Sequence, residues 1–215
     1  MKKVIASVLV AAIVGAAGFY GYTKHQAAQV VETTTPFVKE TSVRTRSLTD
    51  LITGETNATF REIFDKADET IKKIDESLIL LESSNSTKNP EAAAKGADYL
   101  RASQTLVRTL NSNIRARFEL RNATDEFTEA VNELKASDGY SYKYAKVRTD
   151  KAQERANKAI QGSKDAFKDA RVAIDTFKDA RTAAALHYPA DSLIPEAVVQ
   201  AIDKYFEPAE AEKKS

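Results

Sequence analysis

Residues 152–184 read AQERANKAIQGSKDAFKDARVAIDTFKDARTAA. Ala152, Ala156, Ala159, Ser163, Ala166, Ala170, Ala173, Phe177, Ala180 and Ala184 alternate intervals of four and three along the stretch. That spacing lines one stripe of an α-helix, whereas a strand would need alternation by two. Nearly all of these side chains are small, so a second helix can approach closely along the stripe. Ile160, Phe167 and Ile174 supply bulk at its flanks. FKDAR occurs at Phe167 and again at Phe177. Ten residues rotate the second copy by about 80° in an ideal helix, so the repeat reads as low-complexity helix and not as a duplicated site.

Working outward, the same helix covers about 142–186 and stops before Pro189. A preceding helix starts with Asn89 as N-cap, Pro90 at the first helical position and Glu91 favourable to the dipole. Leu100, Ser103, Val107, Leu110 and Ile114 line one face; Leu120, Ala123, Phe127, Ala130 and Leu134 continue it. The segment SDGYS ends this helix, with Gly139 suited to a left-handed turn. A first long helix is expected over 44–84, with Phe60, Phe64, Ala67, Ile71, Ile74, Leu78 and Leu81 as its seam and a register shift at Gly54. Pro195 opens a short amphipathic helix with Val198, Val199, Ile202 and Phe206, too short to span the others and expected to cap one end. Short connections make neighbouring helices antiparallel.

At the other end of the chain, Lys2 and Lys3 precede an uncharged stretch, 4–22. As a helix it is about 28 Å long, close to the ~30 Å hydrocarbon core of a bilayer. Phe19, Tyr20 and Tyr22 suit the headgroup layer, and the lysines orient the following chain outward. An uncleaved anchor is the favoured reading; Val14 and Ala16, or Gly15 and Ala17, also fit a cleavage site that would release the chain. Ser7, Ala11 and Gly15 form a small-residue stripe of the kind that lets membrane helices approach.

The sequence thus predicts an all-α protein. Its expected form is an elongated antiparallel bundle of three long helices plus a short C-terminal helix, preceded by one N-terminal transmembrane or signal helix. In residues, 1–22 is the anchor or signal peptide, 23–43 a polar linker or stalk interrupted by Pro36, 44–207 the bundle and 208–215 a charged tail.

Composition narrows the function. Lysine and arginine number 32 against 31 aspartate and glutamate, which disfavours a nucleic-acid binder. Cysteine is absent, so disulfides, thiolate metal sites and cysteine nucleophiles are excluded. The two histidines, His25 and His187, stand in neither zinc-protease nor di-metal carboxylate spacing. No nucleophile elbow or phosphate-cradling glycine loop occurs. No catalytic, cofactor or metal residues are assigned. One candidate interaction face remains: Arg101, Arg108 and Arg115 recur every seven residues, with Arg117 and Arg121 nearby. It suits an anionic polymer, a lipid headgroup or an acidic partner; alternatively it is a solvated face paired with acids of the next helix. Tyr140, Tyr142 and Tyr144 cluster at a loop, as a contact patch or as a cover for the bundle end.

Tyr188, Pro189, Leu193, Ile194, Lys204, Tyr205, Phe206 and Glu207 resemble the end of LemA family proteins. There an aromatic-proline pair, a leucine-isoleucine step and a Lys-x-Tyr-Phe-Glu element close the chain. Residues 50–52, Asp-Leu-Ile with Arg46 ahead, are similar to a segment of that family's first helix, although the Pro-Asn-Leu-Val that follows it there is missing. The resemblance implies a membrane-anchored helical protein with no catalytic residues to carry over. The expectation is a bacterial inner-membrane protein with its C-terminal domain in the periplasm, binding the membrane through its N-terminal helix and a protein partner or itself. It would act as a scaffold or binding module, or alternatively as a ligand-sensing subunit of a membrane signalling complex.

Overall fold

A computed structural model describes residues 2–54, 58–84 and 88–206, with side chains from Lys24 onward. All regular structure among them is helical: α1 (Lys2–Thr53), α2 (Phe60–Ser83), α3 (Pro90–Ala136), α4 (Gly139–Ala184), a 3-10 turn (Ala190–Ser192) and α5 (Glu196–Tyr205).

The expected first helix over 44–84 is in fact two. Thr59 starts α2 with a reciprocal cap: its hydroxyl accepts the Glu62 N–H at 3.2 Å, and the Glu62 carboxylate accepts the Thr59 N–H at 2.7 Å. The Thr-x-x-Glu signature was legible in the sequence. Within α2 the deepest residues are Ile63, Ala67, Thr70, Ile74, Ser77 and Leu81. Phe60, Phe64, Ile71 and Leu78 of the expected seam are half-buried beside them.

The expected linker, 23–43, is also corrected. From Lys24 it belongs to α1 and to the core, burying Val30, Thr34, Val38, Thr41 and Ser42. Its threonines do not break the helix, because Thr33, Thr34 and Thr35 donate to carbonyls four residues back at 2.6–2.7 Å. Pro36 and Glu32, the residue whose carbonyl it leaves without an N–H donor, are both exposed to solvent. Among the described residues no helix is long and apolar enough to cross a membrane. The side chains of 4–22, including the Ser7, Ala11 and Gly15 stripe, lie outside those residues, as do Glu207 and the tail, 208–215.

Residues 24–53 of α1 pack against α2, α3 and α5, and α4 packs on α3 and α5. The core centres on Tyr99, Phe177, Phe206, Leu48, Ile74, Leu100, Leu106 and Ile202, all essentially solvent-free. Each such side chain contributes about 1.5–3 kcal/mol by burial. The short helix α5 does not cap an end. It lies along α1 and α4, because Arg181 reaches its start through Ile194 O at 2.6 Å while Phe167 and Arg171 meet Phe206 at its end.

The helices differ in length, and that sets the shape. Phe60 at the start of α2 meets Phe118 of α3, ring centroids 4.9 Å apart. Beyond Phe118, α3 continues to Ala136, about 27 Å further. Over that distance α3 and α4 form a two-helix arm. Its buried residues are Ala123, Ala130, Ala145, Thr149, Ala152, Ala156 and Ala159, the last three being the start of the alanine stripe. The helices are close enough that the Thr149 hydroxyl lies 3.0 Å from the Ala130 carbonyl oxygen across the arm. Asp138 and Gly139 make the turn at its tip, Gly139 with φ +50° in the region an L side chain resists.

Candidate functional site

The arginine face of α3 is built by two heptads meeting in antiparallel register. Asp68, Asp75 and Glu82 recur every seven residues on α2, as Arg101, Arg108 and Arg115 do on α3. Arg115 pairs with Asp68 at 3.5 Å, Arg108 with Asp75 at 3.8 Å and Arg101 with Glu82. The residue numbers of every pair sum to 183, the mark of one unbroken antiparallel register. The heptad of acids was readable in the sequence and would have located the partners of this stripe. All six side chains are about half exposed, so each pair contributes roughly 0.2–1 kcal/mol. Asn111 and Gln104 reinforce the row by donating to Asp68 and Asp75. The three arginines therefore hold α2 on α3, and their charge is largely spent there.

Arg115 also lies over the Phe64 ring, 4.2 Å from its centroid. Arg117 turns away from this row. It donates to Tyr205 Oη at 2.7 Å and sits 4.8 Å from that ring's centroid, fixing the end of α5. Arg121, one turn further, is exposed and has no ion-pair partner among the described residues. The five arginines thus divide into a structural row, a positioning contact and one open cation.

The α4 side repeats the logic. Arg148 pairs with Glu133, and Arg155 binds Glu126 and, at 2.8 Å, Glu119. Glu119 heads the partners that hold the Arg155 guanidinium above its ordinary range.

A second constellation, which no local sequence motif announces, fastens the chain between α4 and α5. Tyr99 is fully buried, its ring 5.6 Å from Phe177. Its hydroxyl accepts the Ile194 N–H at 3.1 Å and lies 2.8 Å from Ser42 Oγ; Ser42 in turn donates to Ser192 O at 2.7 Å. One relay of donors therefore runs from the Ile194 amide through Tyr99 and Ser42 to the Ser192 carbonyl. Burial raises the Tyr99 pKa, against hydrogen bonds that lower it. Tyr188 makes the second fastening, donating to Ala92 O at 3.0 Å with Thr34 Oγ1 also at 3.0 Å. Gly96 makes room for it: a Cβ there would stand 2.3 Å from Tyr188 Oη. Lys39 meets Asp191 at 3.0 Å, and Arg171 and Lys178 hold Asp203 at 3.1 and 2.6 Å. His187 sits at the α4 end, Nε2 3.8 Å from Glu91.

Tyr140, Tyr142 and Tyr144 do not cover a bundle end. They stand on the arm tip, 76%, 47% and 63% exposed. Among the described residues, no three His, Asp or Glu side chains converge as metal ligands would. The described surface carries open grooves, one of about 560 Å³ between α1 and α2 at Pro36, Val43 and Lys66. No protein-family model, curated protein or solved structure matches this chain.

Proposed function

We propose that this chain is a non-catalytic scaffold or binding module, tethered in a bacterial inner membrane by residues 4–22 and facing the periplasm. The observation that carries the reading is its polarity from end to end. Helix α1 runs without a break from Lys2 into the body, and the α3–α4 arm leaves the body at the opposite end. Such a rod holds an exposed tip at a set distance from whatever fixes its start. Charged side chains that join helix to helix, and open grooves among the described residues, are what a binding module presents. Kinship with the LemA family belongs to the same proposal. Tyr188, Leu193, Ile194 and Phe206, which carry that resemblance, are core residues, so a shared C-terminal pattern has a structural use.

An alkaline phosphatase fusion after Ser215, with the mass of the mature chain, tests the tether. The expected result is an active fusion in the membrane fraction and an intact Lys2-Lys3 start. A soluble periplasmic chain beginning near Ala17 would refute it. The ligand-sensing alternative draws support from the hydroxyl-rich seam of α1. Thr41 and Thr45 are buried without hydrogen-bond partners among the described residues, a packing that resists displacement less than an apolar seam. Co-purification of a transmembrane kinase or chemoreceptor with the intact protein would favour that reading.

A further inference from the structure

The tip of the arm carries side chains that the fold does not use. Tyr140 and Tyr144 lie on one side of the first turns of α4, their hydroxyls 2.7 Å apart and their rings edge to face at 5.1 Å. Tyr142, two residues from each, projects from the other side of the helix. Val147 extends the first stripe and is 51% exposed. Large aromatics this exposed have no packing role, and here three occur within five residues.

Their arrangement selects the partner. A glycan platform or a protein patch needs aromatic rings gathered on one face, whereas this tip is aromatic on two opposite sides. A layer that surrounds the tip satisfies both sides at once. Tyr140 to Tyr144 spans about 6 Å along the helix axis. The polar interface of a bilayer is about 5–8 Å deep on each side, and tyrosine is a residue enriched there. The charge agrees. Lys135, Lys143 and Lys146 stand at or near the tip with Asp138 and Glu133, and Glu133 is taken up by Arg148. Lys146 pairs with Asp150, while Lys135 and Lys143 are exposed and form no ion pair among the described residues.

We propose that the α3–α4 tip docks end-on into the headgroup layer of an anionic phospholipid membrane, with Tyr140, Tyr142 and Tyr144 in the interface and Lys135 and Lys143 on the lipid phosphates. This docking does not depend on how residues 4–22 are held. With a tethered start it makes the protein a strut between two lipid surfaces; without one it makes a peripheral membrane protein.

The full chain, carried in phosphatidylcholine nanodiscs, is mixed with vesicles of equal parts phosphatidylglycerol and phosphatidylcholine, and capture is read by flotation. If the chain does not enter nanodiscs, the tether fails and the same capture is read on the free chain. Because cysteine is absent, Ala136→Cys at the tip and Ala185→Cys at the far end of α4 each take one environment-sensitive dye. The expected results are capture with a response from the tip dye only. Replacing all three tyrosines with serine lowers capture by about tenfold. Lys135→Gln with Lys143→Gln lowers it by about twenty-five-fold, at roughly fivefold per lysine, and removes the preference over pure phosphatidylcholine vesicles. Unchanged capture by the folded tyrosine variant overturns the proposal, as does a response from the Ala185 position alone. Saturable binding of soluble peptidoglycan fragments without vesicle capture overturns it in favour of a glycan site.

Discussion

Two glycines inside helices should respond to the same substitution with opposite signs. Gly96 in α3 is buried, and a Cβ there would lie 2.3 Å from Tyr188 Oη, 2.9 Å from its Cζ and 3.2 Å from Leu81 Cδ1. Gly162 in α4 is exposed, with nothing within 4 Å of the same atom. Replacing a helix-interior glycine with alanine stabilises by about 1 kcal/mol when the site is open. Gly162→Ala should show that gain. Gly96→Ala has the same gain, but Tyr188 cannot yield freely: it is buried and its hydroxyl is committed to Ala92 O and Thr34. Forcing extra volume into a packed core costs about 1–3 kcal/mol. Loss of a hydrogen bond from Tyr188 adds about 0.5–1.5 kcal/mol. The net expectation is a destabilisation of about 0.5–3.5 kcal/mol. Urea unfolding followed by circular dichroism at unchanged m measures both variants. Adding Tyr188→Phe to Gly96→Ala removes the oxygen at 2.3 Å and should recover part of the loss, a coupling that a double-mutant cycle isolates. A Gly96→Ala protein stabilised as much as Gly162→Ala would refute the close approach, and with it the seating of the C-terminal segment.

Tyr99→Phe should cost about 1–3 kcal/mol, because the Ile194 N–H loses its acceptor inside the core, and hydrogen exchange at Ile194 should quicken. Limited trypsin treatment should cut first at Lys135, Lys143 or Lys146, since the arm is held by alanines and half-exposed ion pairs; first cuts in α2 would contradict that order. Stability should fall in acid. Glu62 is held below the usual carboxylate range by the Thr59 N–H, Glu69 by Lys66 and Asp191 by Lys39. Their contribution is present above the ordinary carboxylate value of about 4 and lost as pH falls through the lowered ones. Burial raises Tyr99 and Tyr188, so their contribution is present below the ordinary phenol value of about 10 and lost above it. Unfolding titrations from pH 3 to 11 should therefore drop at both ends, and Tyr99→Phe should flatten the alkaline limb.

The helical class was legible because the four-three spacing of 152–184 and of 100–114 is long and uninterrupted. The N-cap at Asn89 and the left-handed backbone at Gly139 were legible for the same local reason, and both stand where expected. Two features misled. Threonines and a proline over 23–43 look like a linker by composition, yet threonine hydroxyls can return to the helix's own carbonyls, which no pattern of apolar residues reveals. By periodicity alone the break at Gly54 looks like a register shift, whereas Thr59 and Glu62 mark a new start. The projection of the arm follows from the unequal lengths of α2 and α3, and so waited on that break. The arginine stripe was visible, while its neutrality depends on a register between two helices. The Tyr99 and Tyr188 fastenings join residues far apart in the chain, and no local spacing announces them.

The projecting tip requires a straight α3 whose second half leaves the body, and a distance measures that directly. Spin labels at Glu91→Cys and Ala136→Cys, both exposed on α3, bracket its length in the otherwise cysteine-free chain. Pulsed electron-electron resonance should give one narrow distribution near 68 Å, from about 1.5 Å per residue. A distribution centred below about 45 Å would mean that the arm folds back on the body, which would contradict both the projecting tip and the function proposed for it.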